Sequence, residues 1–228
     1  MCQKIENCKS VILPYAKTED VFIEAPGEIN TSVLYHFCKR AFDILFSLLV
    51  IIIFFIPCLV ISLIIAVSSE GPVFFLQERL GKGGKPFKII KFRTMYIDAE
   101  NDGAMWTTDE NDERITPVGK VLRKTRLDEM PQFLNVISGK MTLIGPRPER
   151  KVFYDEFETY IHGFSERLKV KPGLTGYAQV YGGYVIPPEE KIKYDMEYIK
   201  NQSLWLDTKI FFKTIQVVLF GEKSKGSN

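Results

Sequence analysis

From Ile44 to Val67 the chain carries no charged residue: ILFSLLVIIIFFIPCLVISLIIAV. At about 1.5 Å per residue a helix of this length reaches roughly 36 Å, enough for a bilayer hydrocarbon core of about 30 Å. Few folds bury such a run, so it marks a membrane segment. Pro57 interrupts it near the middle and lacks the N–H that a helix interior needs, so it can kink or break the helix. Lys39 and Arg40 precede the run, and Arg79, Lys82, Lys85, Lys88, Lys91 and Arg93 follow it. Positive charge marks the cytoplasmic side, and here it stands on both flanks. A helix–Pro–helix hairpin that enters and leaves by one face satisfies both; a straight span satisfies one. The re-entrant reading, with Pro57 as its break, is favoured over the spanning one. Ser47 and Ser62 are available to satisfy backbone groups freed at the kink.

A second stretch carries the chemistry. In Leu127-Asp128-Glu129-Met130-Pro131-Gln132 two adjacent carboxylates precede a proline and an apolar run. Proline is tolerated in a first helical turn, so a helix is predicted to start near Leu127 with both acids in that turn. Free N–H groups and the helix dipole favour phosphate there. Acids are also common in first turns for dipole reasons alone. Downstream, Gly145-Pro146-Arg147-Pro148 holds Arg147 on a stiff backbone, which suits a two-pronged grip on phosphate; a salt bridge would also explain it. Arg126, beside the acids, is a second candidate.

The other segments frame these two. Residues 1–37 read as a loosely ordered arm, 38–69 as the membrane segment, 70–220 as a catalytic domain and 221–228 as a tail. Pro72–Arg79 and Phe87–Arg93, joined through Gly81-Lys82-Gly83-Gly84-Lys85-Pro86, predict a β-hairpin. Alternation in its second strand suggests one packed face and one basic face; meeting anionic headgroups and being an ordinary solvated Lys/Arg face are both admissible for it. The acidic stretch 96–115 reads as a solvated loop, with a metal role for Asp109 or Asp112 unsupported. Thr116-Pro117 reads as an N-cap and first helical residue. Phe153, Phe157, Tyr160, Ile161 and Phe164 fall at helical spacing, as do Ile192, Met196 and Ile199. Trp205–Phe220 is an apolar helix with Lys209 and Lys213; lying at the interface and docking on the protein's own core are both admissible. A net charge of +2 gives no general affinity for polyanions, and nucleic acid is not among the expected partners. Cys2, Cys8, Cys38 and Cys58 form no C-x-x-C pair, and the two histidines are far apart, which argues against zinc and disulfide frameworks.

Five segments stand in a telling order: Gly71-Pro72-Val73-Phe74-Phe75-Leu76-Gln77-Glu78-Arg79-Leu80-Gly81, Lys91-Phe92-Arg93-Thr94-Met95, Leu127–Gln132, Gly145-Pro146-Arg147-Pro148-Glu149 and Lys171-Pro172-Gly173-Leu174-Thr175-Gly176. Together, from about Lys39 to Phe220, they resemble the bacterial sugar transferases, the monotopic phosphoglycosyl transferases. The resemblance implies an α+β, mainly helical, monotopic domain with a re-entrant helix, a β-hairpin and interfacial amphipathic helices. It implies transfer of a sugar 1-phosphate from a UDP-sugar to undecaprenyl phosphate, with Mg²⁺ required and UMP released, at the cytoplasmic face of the bacterial inner membrane. The family's acid dyad falls on Asp128 and Glu129. Larger members carry extra N-terminal spans, so the chain resembles the minimal catalytic form. Tyr181 departs from the family, where Asn is frequent.

On this reading Asp128 attacks the β-phosphorus and Glu129, with Asp128, holds Mg²⁺. Arg147, Arg126 and Arg93 contact phosphoryl oxygens. Direct transfer with Asp128 only binding metal is the rival route; a non-catalytic membrane scaffold for envelope polysaccharide is the rival function. The sugar, the pathway and the oligomeric state, a homo-oligomer included, stay open.

Overall fold

A computed structural model describes residues 11–12, 20–27, 29–30, 32–97, 99, 104–105, 112–183 and 186–220. Asp109 and the 221–228 tail lie outside these residues. The chain is mainly helical with short strands. In order come β1 (Val11–Ile12), β2 (Val21–Phe22), α1 (Val33–Ser68), β3 (Phe74–Leu80), β4 (Pro86–Phe92), β5 (Ala104–Met105) and α2 (Pro117–Lys124). A 3₁₀ turn over Leu127–Gln132 leads into α3 (Phe133–Ile137). Then follow β6 (Thr142–Ile144), α4 (Lys151–Phe157), β7 (Ile161–His162), β8 (Gly173–Thr175), α5 (Pro188–Lys200) and α6 (Leu204–Phe220). Among the described residues the strands make two-stranded pairs: β3–β4 antiparallel, and β1–β5, β2–β7 and β6–β8 parallel.

Helix α1 begins at Val33, inside the expected arm, because Ser32 caps it: its Oγ accepts the Tyr35 N–H at 3.3 Å. It continues through Pro57 as one 36-residue helix. The expected rescue of the kink by hydroxyls is absent. Ser62 Oγ donates to its own i−4 carbonyl, Cys58, at 2.7 Å, and Ser47 Oγ is buried without a partner among the described residues. A stripe at helical spacing docks α1 on the rest of the fold. Phe46, Val50 and Ile51 meet the main core, and Cys58, Ile61 and Ile65 meet Phe92, Leu122 and Leu127. The remaining faces are bare: Ile52 is 72% exposed and Ile56 64%.

Both ends of α1 are tied to the same domain. Near its start Arg40 donates to the C-terminal carbonyls of α3, Val136 at 2.6 Å and Ile137 at 2.7 Å. Asp43 accepts from Thr142 Oγ1 at 2.7 Å and the Leu143 N–H at 2.9 Å. Lys39 pairs with Asp207 of α6 at 2.7 Å, and Tyr35 and Tyr198 hydroxyls donate to the same carboxylate. At the far end Arg93 donates to the carbonyls of Ser69 and Glu70 at 2.8 and 2.6 Å.

Helix α6 docks on the protein's own core by one face and leaves apolar residues bare on another. Asp207 and Ile210 are buried and Phe211 packs edge-on against Phe42 and Phe46, while Trp205, Phe212 and Phe220 stay exposed. The expected core stripe of α5 is buried at Ile192, Met196 and Ile199. The stripe from Phe153 to Phe164 is also core, but not one helix. Helix α4 stops at Phe157, because Glu158 turns the chain by accepting from the N–H groups of Gly163 and Ser165 at 2.8 and 2.9 Å. Part of the N-terminal arm is docked rather than loose: β2 adds in parallel to β7, and Ile23 N–H donates to the His162 carbonyl at 2.9 Å.

Removing one partner of a mostly buried ion pair leaves the other uncompensated, at a cost of about 3–5 kcal/mol. Asp207→Ala should therefore destabilise the protein by about 3 kcal/mol by unpairing Lys39, read as a lowered thermal midpoint in detergent. Asp207→Ala combined with Lys39→Met should recover part of the loss.

Candidate active site

The acid turn forms where the sequence placed it, in tighter geometry. Leu127–Gln132 is 3₁₀, and Arg126 ahead of it has φ 59°, the one non-glycine residue in the left-handed region among the described residues. That backbone costs about 1–2 kcal/mol. It lets the Arg126 carbonyl accept the Glu129 N–H at 3.3 Å and so turns two successive carboxylates into different surroundings.

Glu129 is clamped. Lys91 Nζ donates to its Oε1 at 2.9 Å. Arg147 grips the same carboxylate with both prongs, Nη2 on Oε1 and Nη1 on Oε2, the latter at 3.4 Å. Burial pushes the Glu129 carboxyl up, but Arg147 and then Lys91 outweigh it and hold the group far below the usual carboxylate range. Asp128 is also buried, 8% exposed, yet accepts no hydrogen bond among the described residues. Burial pushes its carboxyl up; Lys91 pulls it down and Glu129 pushes it up again. Two neighbouring acids thus differ in kind: one fixed as an anion inside an ion pair, the other with its lone pairs uncommitted.

Lys91 reaches Glu129 because β4 is anchored. The hairpin register sets Phe75 opposite Lys91 and Glu78 opposite Lys88. Buried Asn135 of α3 then bridges to β4: its Oδ1 accepts the Ile90 N–H at 3.0 Å and its Nδ2 donates to the Lys88 carbonyl at 2.9 Å. The expected outward basic face is therefore corrected. Only Lys88 of the three cations is exposed; Lys91 is turned to Glu129 and Arg93 is 6% exposed.

Arg93 sits at a different place. Its guanidinium closes the C-terminal end of α1 instead of reaching the acids, since its hydrogen bonds go to Ser69 Oγ and the Ser69 and Glu70 carbonyls. A cation that sequence reading did not single out, Arg123 of α2, lies nearer. It donates from Nε to Thr94 Oγ1 at 2.9 Å, and its charge is felt at Asp128. Helix α2 is seated by the expected cap, Thr116 Oγ1 accepting the Gly119 N–H at 2.9 Å. Asp112 is taken by Arg114, which donates to both its oxygens.

Arg147 is brought in by an interlock of two motifs. Parallel β6 and β8 pair Thr142 with Gly173 and Ile144 with Thr175, which lays the Lys171–Gly176 turn on the Gly145–Pro148 loop. A Cβ on Gly173 would stand 2.2 Å from the Gly145 nitrogen, so only glycine allows the two backbones to meet.

A metal can be tested against these donors. Among the described residues no group of three or more His, Cys, Asp or Glu side chains assembles. Magnesium commonly takes one or two carboxylates and completes its shell with substrate phosphate and water. Uncommitted Asp128 next to Glu129 fits such an incomplete set.

A family model for the bacterial sugar transferases matches residues 34–221. The chain belongs to the bacterial sugar transferase family. It is 47% identical over 198 residues to a UDP-N-acetylgalactosamine-undecaprenyl-phosphate N-acetylgalactosaminephosphotransferase of Aeromonas hydrophila, covering 86% of this chain and 47% of that protein. It is 42% identical over 182 residues to the UDP-glucose:undecaprenyl-phosphate glucose-1-phosphate transferase of Escherichia coli K12, covering 78% of this chain and 39% of that protein. A putative undecaprenyl-phosphate N-acetylgalactosaminyl 1-phosphate transferase of Bacillus subtilis is 48% identical over 130 residues, 57% of this chain and 72% of that protein. The chain spans about half the length, or less, of the first two. The matched region contains every site residue described above.

The two acids have opposite pH signatures. Glu129, held low in the fold, stabilises it above its ordinary value of about 4.5, and that contribution disappears as pH falls below it. Asp128 is held high, so any rate that needs its carboxylate should fall off on the acid side above the ordinary Asp value of 3.8. Lys91→Met removes the cation that lowers Asp128. The acid limb of the pH–rate profile should then move to higher pH; an unmoved limb, or one moved down, would contradict this coupling.

Proposed function

We propose that this bacterial sugar transferase moves a sugar 1-phosphate from a UDP-sugar to undecaprenyl phosphate, releasing UMP. The observation that carries the reading is the asymmetry of the acid pair. An Asp128 oxygen attacks the β-phosphorus, the one bearing the sugar. Its bond to the bridging oxygen breaks, and UMP leaves with that oxygen. An oxygen of the polyprenyl phosphate then attacks the same phosphorus and returns Asp128 to a carboxylate. The lipid phosphate is already an anion, so no strong base is needed. Arg147 and Lys91, prearranged around Glu129, stabilise charge on the phosphoryl oxygens, and Arg126 stands close enough in sequence to join them. Glu129 keeps the two cations in place when no phosphate engages them. Arg93 serves indirectly by holding the end of α1. Mg²⁺, bound by Asp128, Glu129 and substrate oxygens, would offset the diphosphate charge that otherwise repels a carboxylate.

The same reading sets the protein on the cytoplasmic face of the inner membrane by a re-entrant α1. What supports it is the tethering of both α1 ends to one domain: a helix crossing straight through would drag Asp43 or Arg93 and their polar partners into hydrocarbon. Phe211 of α6 packs on Phe42 and Phe46 of α1, and both helices leave other apolar residues exposed that lipid would cover, Ile52 and Ile56 on α1 and Phe212 and Phe220 on α6.

The decisive assay is UMP release by the full chain in detergent with Mg²⁺, undecaprenyl phosphate and a panel of UDP-sugars. At least one sugar should support turnover, EDTA should stop it, and Asp128→Asn should lower it by at least about 10³-fold and abolish a labelled adduct formed without the lipid. Turnover retained in Asp128→Asn would exclude the covalent route in favour of direct transfer. No UMP with any sugar would leave a scaffold. For topology, single cysteines at Leu34 and Glu70 should both react with an impermeant maleimide from the cytoplasmic side only; labelling from opposite sides would refute re-entry.

A further inference from the structure

Under the Gly145–Pro148 loop lies a second buried ion cluster that the reaction as written does not use. Arg167 and Asp195 pair at 2.6 Å with side chains 1% and 2% exposed. Beside them Glu149 takes Arg79 at 3.1 Å and Lys191 at 2.6 Å. Burying five charges is costly, and apolar residues of similar volume often hold a fold at least as well. Stability alone is therefore a weak reason for this cluster.

Its contacts suggest another reason. Three successive carbonyls of the loop each accept a hydrogen bond from this side. Arg147 C=O accepts from Arg167 Nη2 at 2.8 Å, Pro148 C=O from Arg79 Nη1 at 3.3 Å, and Glu149 C=O from the Leu80 N–H at 2.9 Å. Pro146 and Pro148 already restrict the φ of the loop. What they leave free is the orientation of the Arg147 peptide, and the Arg167 bond fixes that. Arg167 itself lies over two rings, its guanidinium 5.1 Å from the Phe164 ring centroid and 5.9 Å from that of Tyr154. The side chain of Arg147 goes to Glu129 while its carbonyl goes to Arg167, so one residue links the two clusters.

We propose that Arg167 is a positioning residue for phosphoryl transfer, acting through the Arg147 carbonyl to set where the Arg147 guanidinium meets Glu129 and the substrate phosphate. This rests on the reading of Arg147 as a phosphate contact. Misplacing a transition-state contact by about 1 Å can cost about 10²-fold in rate.

Arg167→Lys tests it. The lysine keeps a cation near Asp195, but its head is shorter and lacks the guanidinium whose Nη2 lies against both the Asp195 carboxylate and the Arg147 carbonyl. The expected result is a kcat for UMP release lowered about 10- to 100-fold, with KM for the UDP-sugar within about threefold and a thermal midpoint close to wild type. Lys191→Met, which disturbs the same cluster without touching Arg147, should lose midpoint with a much smaller change in kcat. The discriminating measurement is a double-mutant cycle: Arg147→Lys should slow wild type strongly but add little in the Arg167→Lys background. Full additivity, or kcat losses that track the midpoint equally in the Arg167 and Lys191 variants, would overturn the proposal. If Arg167→Lys does not fold, Asp195→Asn, which loosens Arg167 but keeps its fork, carries the same cycle with the same two outcomes. Should Arg147→Lys leave wild-type turnover unchanged, the phosphate role of Arg147 and the positioning role both fall; a slow Arg147→Lys with an additive cycle sinks the positioning role alone.

Discussion

One buried carboxylate organises the chemistry of this fold. Glu129 would be too costly to keep ionised without partners, and it draws them from two distant segments: Lys91 from the hairpin and Arg147 from the proline-bounded loop. The same ion pair that solves a burial problem gathers two cations beside Asp128. With Arg123 included, three cations surround two carboxylates, an excess that favours an incoming polyanion. Asp128, one residue away, is spared this arrangement and keeps its lone pairs. The left-handed turn at Arg126 is what separates the two fates.

The long apolar helix α1 imposes the second constraint. A long apolar helix exposes most of its surface, yet it is not a free anchor. Its docked stripe runs from Asp43 to Ile65, and polar ties hold it at Arg40 and at Ser69. Ile65 lies in one cluster with Phe92 and Leu127, next to the acid turn, so the apolar surface and the reactive pair share a rigid support.

How much of this was legible in the sequence depended on whether the signal was local. Pro131 after two acids, Pro146 and Pro148 around Arg147, and Thr116-Pro117 at a cap all restrict backbone within a few residues, and the structure carries each of those local features. Lys91 and Arg93 were harder. Period-two alternation cannot say whether a basic residue ends in water or on a buried acid forty residues away. Arg167, Asp195 and Asn135 look like ordinary polar residues in sequence, and their roles exist only through long-range partners. The stripe from Phe153 to Phe164 is core, as its apolar spacing predicts, but that spacing carries no sign of Glu158, whose carboxylate folds the chain back at Gly163.

Asn135 has a wider consequence. By engaging the Lys88 carbonyl and the Ile90 N–H together, it indexes β4 against α3. A slip of one residue would offer Ile90 to Glu129 and strand a buried anion. Alignment of the ribbon is thus dictated at its root, and the glycine-rich tip at residues 81–85 is relieved of that duty. Such a tip is free to grow, shrink or acquire new contacts over evolutionary time while the reactive centre keeps its alignment.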